Sequence, residues 1–459
     1  MTRGGRLAVV VSLCFGLFGP VCLGCRANGG GEQRDVVMPA SLECDTSPPS
    51  IGNLIVDVSY NSVRFAFSCD EPCRVRVVLT RRADGRLIEV WDAVDIEHSI
   101  EVSPLYCFSE YDYSLAVQDS SGNSSEVSGS FSTPEYRSAF IAYQHIRGSS
   151  TSDFPGWLDM LAAEGFDVLE VGQPDLGYMR SFDYGHFIEH DTGVAKMATL
   201  VEMANERGFE TLGVYWTFGA PPYDQQHAEL YARDQDGEPL DWLCPANPLV
   251  KSLVMDVLAA YLDRLGLDGI VLDGIRYLDT YCLCDYHMSH ADGEPGTLRW
   301  DEWCSDDLTG FVESVRDMLH ERGKSLWAYV WSYNQRYHEW FWGTELFSFR
   351  GQDWRGWAER GSVDGLKNMD YYVGPSLLLW LTLQELAVVG SRVLWAPAFW
   401  FSHQESGVDT PEELEFVVST MREFHISGYS VFDWTKVISR PNDFGWAHDT
   451  FMQLNASPR

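Results

Sequence analysis

Asp268-Gly-Ile-Val-Leu-Asp273 is followed directly by Gly-Ile-Arg-Tyr277, so a short apolar run lies between two acidic residues. Ile-Val-Leu is typical of a buried parallel strand, and a carboxylate after such a run is most easily placed where the strand ends. Similar runs, separated by helical segments such as 193–207, 248–265, 303–322 and 410–424, occur at 139–145, 167–172, 211–218, 325–331, 363–371, 392–400 and 428–434. This alternation predicts an α/β fold, a (β/α)8 TIM barrel over residues 135–459, with an open doubly wound sheet as the alternative.

Residues 49–134 have a different pattern. Short alternating runs such as 54–59 and 113–117, separated by turn residues, predict an all-β sandwich domain. The stretch from Tyr111 to Ser124 resembles the late strands of fibronectin type III domains. We expect this domain to act as a spacer, with glycan binding as the alternative. Residues 26–48 are polar and irregular and predict a flexible linker.

The N-terminus has the features of an export signal. Arg3 and Arg6 precede an apolar stretch at 7–23 that ends in Gly24-Cys25. This order predicts a lipoprotein signal peptide over 1–25 with lipid on Cys25, and ordinary signal cleavage is the alternative. We therefore expect a chain anchored by lipid to the bacterial outer membrane or cell surface, the alternatives being periplasmic or secreted. The net charge of −34 argues against nucleic-acid binding, which requires cationic side chains.

Cysteine usage agrees with export. Eight of the eleven cysteines follow Cys25, four of them before residue 135 and four within the predicted barrel. This even division predicts two disulfides in each domain, with the pairing left open. A metal site at Cys282-Leu-Cys284 is the alternative for the barrel. The eight cysteines are Cys44, Cys69, Cys73, Cys107, Cys244, Cys282, Cys284 and Cys304.

The predicted strands deliver carboxylates and aromatic rings to one end of the barrel, where the active sites of this fold lie. Aromatic rings pack on the C–H faces of sugars, and cleavage of a glycosidic bond needs two carboxyl groups. We therefore predict a carbohydrate cleft that needs no cofactor and no active-site metal. The catalytic candidates are Asp273, then Asp370, with Asp433 and Glu170. The predicted substrate-binding residues are Tyr143, His145, Trp216, Arg276, Tyr277, Trp331, Tyr371, Trp400 and Trp434.

Two segments carry a family resemblance. The stretch from Leu267 to Tyr277 resembles the fourth-strand motif of the bacterial family 10-like glycosylhydrolases, and 352–357 with 363–371 resembles their fifth-to-sixth-strand segment. The similarity spans residues 135–440. It implies a glycoside hydrolase barrel in which Asp273 is the catalytic aspartate of strand four, acting on a polysaccharide or oligosaccharide. A non-catalytic glycan-binding surface protein with a degenerate barrel is the alternative, and a metal-dependent hydrolase or deacetylase is a further one.

Overall fold

The computed structural model describes residues 45–277, 282–331, 351–369, 374–389, 393–401 and 407–456. The chain divides into two compact units. One unit consists of the residues up to Asp57 together with Arg64–Glu101 and Asp112–Ser130, and the other of Val58–Val63, Val102–Tyr111 and Phe131–Arg459. No helix within the described ranges is both long and apolar enough to cross a membrane.

The N-terminal region is all β, as predicted. Its five strands form one sheet in the order β1-β2-β4-β5, with β3 also paired to β2. Along β2 the buried side chains alternate with exposed ones, for example Phe65 and Val75 against Arg64 and Arg74, which is the pattern of a sheet with one solvated face. The assignment to fibronectin type III stays a prediction. The strands are β1 Ile51–Val58, β2 Val63–Arg81, β3 Leu87–Val102, β4 Glu110–Gln118 and β5 Ser124–Ser132.

The second unit is built on a parallel sheet that curls into a barrel. The sheet contains β6 Tyr136–Ile141, β7 Val168–Gly172, β8 Glu210–Trp216, β11 Gly269–Asp273, β12 Ser325–Val330, β13 Gly365–Asn368, β14 Leu394–Trp395, β15 Ala398–Phe399 and β16 Gly428–Val431. Their order is β14-β13-β12-β11-β8-β7-β6-β16-β15. A separate antiparallel pair is formed by β9 Tyr231–Arg233 and β10 Pro239–Leu243.

Strands β14 and β15 together occupy the seventh position of the barrel. Only Ala396 and Pro397 separate them, and Pro397 has no N–H with which to continue a ladder. Hydrogen bonds nevertheless reach both neighbours, because the Ala396 N–H donates to the Leu366 carbonyl at 3.0 Å and the Ser430 N–H donates to the Pro397 carbonyl at 2.9 Å. The ring of parallel pairings therefore closes between β13 and β16, and the predicted (β/α)8 fold is confirmed.

Helices follow the strands, and their ends match the sequence signals. Helix α6 is an example, since Asn247 caps it, Pro248 is its first residue, and Gly266 ends it in the left-handed conformation at φ 69°. The helices are α1 Tyr143–Gly148, α2 Phe154–Ala163, α3 Leu176–Met179, α4 Tyr184–His190, α5 Thr192–Glu206, α6 Pro248–Leu265, α7 Asp285–His290, α8 Leu298–His320, α9 Trp354–Arg360, α10 Pro375–Val389, α11 Pro411–Glu423, α12 Thr435–Ser439 and α13 Pro441–Ala456, with 3-10 turns at Thr151–Asp153 and Gln225–Leu230.

Alternate residues of each barrel strand face opposite sides. Leu169 and Leu272 pack among helix residues in the large outer core. Val168 and Val271 instead pack with Trp327 and other strand residues in the barrel interior. Because this alternation has a period of two, it decides which side chains can reach the open end of the barrel.

Candidate active site

A cleft of about 250 Å³ opens at the carboxyl ends of β7, β8 and β11. This is the end of the fold at which barrel enzymes place their active sites. Two carboxylates and several aromatic rings reach it. Its lining residues are Phe140, Ala142, Tyr143, Gln144, Gly172, Gln173, Pro174, Asp175, Tyr178, Val214, Trp216, Asp273 and Phe432.

Asp273 is the last residue of β11 and faces the cleft, with 14% of its side chain exposed. Its Oδ1 accepts the Gly274 N–H at 2.7 Å and lies 3.8 Å from Nη1 of Arg276. Burial raises the pKa of Asp273 above its ordinary value, although Arg276 and the Gly274 N–H act in the opposite direction. The residue thus occupies the strand-mouth position expected from the sequence, and its catalytic role stays a prediction.

Asp175 is the second carboxylate of the cleft, and the sequence analysis did not single it out. It caps α3, where its Oδ1 accepts the Tyr178 N–H at 2.7 Å. Burial raises its pKa, and the negative charge of Asp273 raises it further. The only signal in the sequence is an aspartate three residues after the end of β7, in Gly172-Gln-Pro-Asp175.

Gln173 also lines the cleft and is buried. Within the described part of the chain, neither its Oε1 nor its Nε2 has a hydrogen-bond partner. A buried amide without partners costs free energy unless a ligand or water completes its hydrogen bonds. The amide packs over Gly213, where a Cβ would lie 2.6 Å from Nε2 of Gln173.

Arg276 lies between two aromatic rings. Its guanidinium carbon is 5.2 Å from the ring centroid of Trp216 and 5.4 Å from that of Trp331. Both distances fall in the cation–π range. Gly274, at φ 63°, lets the Trp216 ring pack close to the backbone after β11, because a Cβ at this position would lie 3.0 Å from the ring. The rings hold the guanidinium on the same side of the barrel as Asp273.

Tyr143 lines the cleft, although it lies beyond the strand in which the sequence placed it. Strand β6 ends at Ile141, and Tyr143 begins α1. Its hydroxyl donates to Asp191, the residue that caps α5. Its ring meets Tyr178 edge-on at a centroid distance of 5.0 Å. The two tyrosines therefore form one aromatic wall.

Asp433 and His145 lie near each other but are not among the lining residues of the cleft. Burial raises the pKa of Asp433, whose Oδ1 accepts the Thr435 N–H at 2.8 Å. Burial also lowers the pKa of His145, which the charge of Asp433 partly offsets. The imidazole stacks on Trp157 at 4.9 Å, and its Nε2 has no hydrogen-bond partner among the described residues. The structure therefore does not bring Asp433 together with Asp273.

Glu170 lies inside the barrel and not at its mouth, contrary to the sequence expectation. Its side chain and that of Lys367 have no exposed surface, and the two form an ion pair. The Tyr329 hydroxyl donates to Glu170 at 2.8 Å and the Ser430 hydroxyl at 2.9 Å. Because side chains of the barrel interior donate hydrogen bonds to both of its oxygens, this carboxylate has a structural role in stabilising the barrel. Removing one partner of such a pair leaves a buried charge, which costs about 3–5 kcal/mol.

Besides His145, four predicted aromatic contacts are not among the lining residues of the cleft, and one of them is Trp331, which packs on Arg276. Trp434 has no exposed surface and packs against Phe166 and Phe451 in the outer core, because the chain turns into α12 after β16. Tyr277 is buried beside a group of cysteines. Trp400 is half-buried, and its ring centroid lies 4.3 Å from Nζ of Lys436. Asp370, Tyr371 and Cys25 lie outside the described residues.

Comparisons with protein-family models and with curated proteins find no match. Solved structures do share the fold. The chain aligns over 69% of its length with 99% of the PgaB (BpsB) glycoside hydrolase domain from Bordetella bronchiseptica, at 12% identity and a TM-score of 0.50. A Group IV chitinase from Ostrinia furnacalis aligns over 70% of this chain and 100% of its own, at 10% identity and a TM-score of 0.44. A GH18 chitinase from Cycas revoluta in complex with (GlcNAc)4 aligns over 69% and 99%, at 11% identity and 0.42.

These structural neighbours are glycoside hydrolase barrel domains, and the likeness establishes a glycosidase-like fold. At such low identity it establishes the fold alone. The resemblance to the family 10-like glycosylhydrolases stays a prediction.

Proposed function

We propose that this chain is a glycoside hydrolase that cleaves an extracellular or cell-envelope polysaccharide with two carboxyl groups. One observation carries the proposal: Asp273 and Asp175 line the same cleft, at the end of the barrel where this fold performs chemistry. A glycosidic bond is cleaved when one carboxyl group protonates the leaving oxygen and another attacks the sugar or activates water. The glycosidase-like fold is compatible with this chemistry but does not determine it.

The surroundings of the two carboxylates suggest different roles. Asp273 has Arg276 and the Gly274 N–H to stabilise its charge. Burial raises the pKa of Asp175, the Tyr178 N–H lowers it, and the charge of Asp273 raises it again, with no cation among these causes. Pairs of carboxyl groups whose surroundings separate their pKa values divide into a charged and a protonated partner. We therefore assign Asp273 as the ionised nucleophile or base, and Asp175 as the general acid.

The remaining lining residues suit a sugar. Trp216 and Tyr178 offer ring surface to C–H groups, as aromatic residues do at other binding sites. We propose that these residues bind the ring on which Asp273 acts.

The function is tested by incubating the wild-type protein with a panel of bacterial and algal polysaccharides. We expect at least one of them to gain reducing ends with time. Retention of the protein on a glycan that it never cleaves would favour the alternative, a glycan-binding surface protein. The geometry argues against that alternative, because a second carboxylate accompanies Asp273 in the cleft.

Replacing Arg276 with Gln should change the pH profile in one direction. Arg276 lowers the pKa of Asp273, so its removal should raise that pKa. Asp273 must be ionised to act, and activity is lost as the pH falls through its pKa. The acidic limb of the kcat/KM profile should therefore move to higher pH, while the alkaline limb, which reports Asp175, stays in place. Arg299→Gln, on the surface, is the control and should leave both limbs unchanged. An unmoved acidic limb in Arg276→Gln contradicts the proposed charge partnership.

We also propose that the chain is exported and carries lipid on Cys25, on the grounds of the N-terminal sequence alone. Wild-type protein produced in a bacterial host should incorporate labelled palmitate, and Cys25→Ala should not. Wild-type protein that is exported without label would contradict the lipid anchor and favour ordinary signal cleavage.

A further inference from the structure

The second unit gathers four cysteines and one histidine into a buried cluster. The five residues come from separate parts of the chain: one follows β10, two precede α7, one lies in α7 and one in α8. None of them is more than 4% exposed. We call them the cysteine cluster; they are Cys244, Cys282, Cys284, His287 and Cys304.

The potential ligand atoms of this cluster converge. The sulfurs of Cys244 and Cys282 and a ring nitrogen of His287 all lie within 4.8 Å of one another. Sγ of Cys284 is 3.5 Å from Sγ of Cys244, and Sγ of Cys304 is 3.1 Å from Nε2 of His287. Two sulfurs bound to one tetrahedral zinc ion are roughly 3.8 Å apart, given Zn–S bonds of about 2.3 Å. The cluster therefore has the dimensions of a metal site.

No disulfide links the described cysteines, each of which is a free, buried thiol, and Cys44 lies outside the described residues. The position of His287 also argues against two disulfides within the cluster. Such pairing would use all four sulfurs and leave the imidazole buried among them, with its Nε2 3.1 Å from Sγ of Cys304. A metal ion gives the imidazole a role, since neutral histidine is a common zinc ligand.

We propose that the cysteine cluster binds one Zn²⁺ ion through Cys244, Cys282 and His287, with a fourth ligand from Cys284 or Cys304. The ion is structural: four protein ligands leave no open position for water. Aromatic residues enclose the ligands, and His287 stacks on Trp300 at a centroid distance of 4.5 Å. The proposal rests on this cluster and is independent of the proposed hydrolase function.

A metal ion at this site would stabilise the segment that follows β11. Tyr277 packs against His287 at a centroid distance of 5.3 Å and directly follows Arg276 in the chain. Ligands on both sides of this segment would join β10, α7 and α8 to the stretch that leaves β11. Zinc would thus fix the backbone that carries Asp273 and Arg276, since metal binding to such a site contributes folding free energy.

The first test uses the wild-type chain without any substitution. Elemental analysis of the purified protein should find about one zinc ion per chain. Exchange for Co²⁺ should produce thiolate-to-cobalt absorption in the near ultraviolet and the visible bands of a tetrahedral ion. After unfolding with a chelator and no reductant, alkylation and peptide mapping should find all four cluster cysteines as free thiols. Purified protein that contains no zinc and takes up none on addition of Zn²⁺ would overturn the proposal, and cluster cysteines that resist alkylation would then indicate disulfides.

Variants then locate the ion. Cys244→Ser, Cys282→Ser and His287→Ala should each reduce the zinc content to background. Cys107→Ser, which replaces a buried cysteine between β3 and β4 that is outside the cluster, should retain it. Of Cys284→Ser and Cys304→Ser, the one that loses zinc identifies the fourth ligand. Zinc retained in Cys244→Ser, or in both Cys284→Ser and Cys304→Ser, would contradict the four-ligand site.

Discussion

Asp273→Asn should reduce the release of reducing ends from a cleaved polysaccharide by on the order of 10²–10⁴-fold, the range that a positioned acid or base contributes. The substitution keeps the size of the side chain and its place beside Gly274 and Arg276. It removes the negative charge that would attack the sugar or activate water. Initial rates at several substrate concentrations should show the loss in kcat/KM.

Asp268→Asn is the matched control, because Asp268 immediately precedes the same strand at its opposite end. Its carboxylate accepts the Thr211 N–H at 3.1 Å and pairs with Lys324 at 3.6 Å, away from the cleft. We expect this variant to keep nearly wild-type activity. A similar loss in both variants would show that the effect of Asp273→Asn comes from damage to the barrel.

Asp175→Asn should lower polysaccharide cleavage by a comparable factor, on the order of 10²–10⁴-fold. The reason differs, because Asp175 is proposed to donate the proton that the departing sugar needs. An aryl glycoside of the same sugar with a strongly acidic phenol as leaving group needs no such proton. Its cleavage should therefore fall little in Asp175→Asn but strongly in Asp273→Asn. Equal losses on both substrates in Asp175→Asn would contradict the role of general acid.

Asp183→Asn controls for the structural role of Asp175, since both aspartates cap a helix. Asp183 accepts the His186 N–H at 3.2 Å at the start of α4. Asparagine caps helices about as well as aspartate, so neither substitution should unfold its helix. We expect Asp183→Asn to cleave both substrates at the wild-type rate.

The fold was largely predictable because it depends on local patterns. Each predicted barrel strand overlaps an observed one, since buried parallel strands are apolar runs of a few residues. The errors lie at the ends. Residues 143–145 continue the polar and aromatic pattern of strand one, but the chain has already entered α1 there. Strand ends depend on neighbouring strands and loops, which one segment does not encode.

The site was predictable only where a strand itself marks it. Asp273 stands out because a charged residue directly follows Ile-Val-Leu. Asp175 follows Gln-Pro in a loop, and nothing in that stretch indicates that the loop turns towards β11. The prediction that Glu170 lies at the barrel mouth was wrong for a related reason. Its interior partner Lys367 is distant in the chain, and only the closed barrel brings the two together.

The same distinction applies to the cysteines. Their number and even division between the two regions suggested disulfides, which was a reasonable inference for a chain with an export signal. The position of His287 instead supports the proposed metal site. This position was not predictable, because the ring lies among the sulfurs only after α7 and α8 have packed. The spacing of cysteines alone does not contain that information.

Cleavage of glycosidic bonds in the cleft lined by Asp273 and Asp175 can be measured by following reducing ends from the polysaccharide panel with wild type, Asp273→Asn and Asp268→Asn side by side. We expect reducing ends from wild type and Asp268→Asn, and almost none from Asp273→Asn. Equal release by wild type and Asp273→Asn would contradict this expectation, since the bond would then be cleaved without the carboxylate on which the proposal depends.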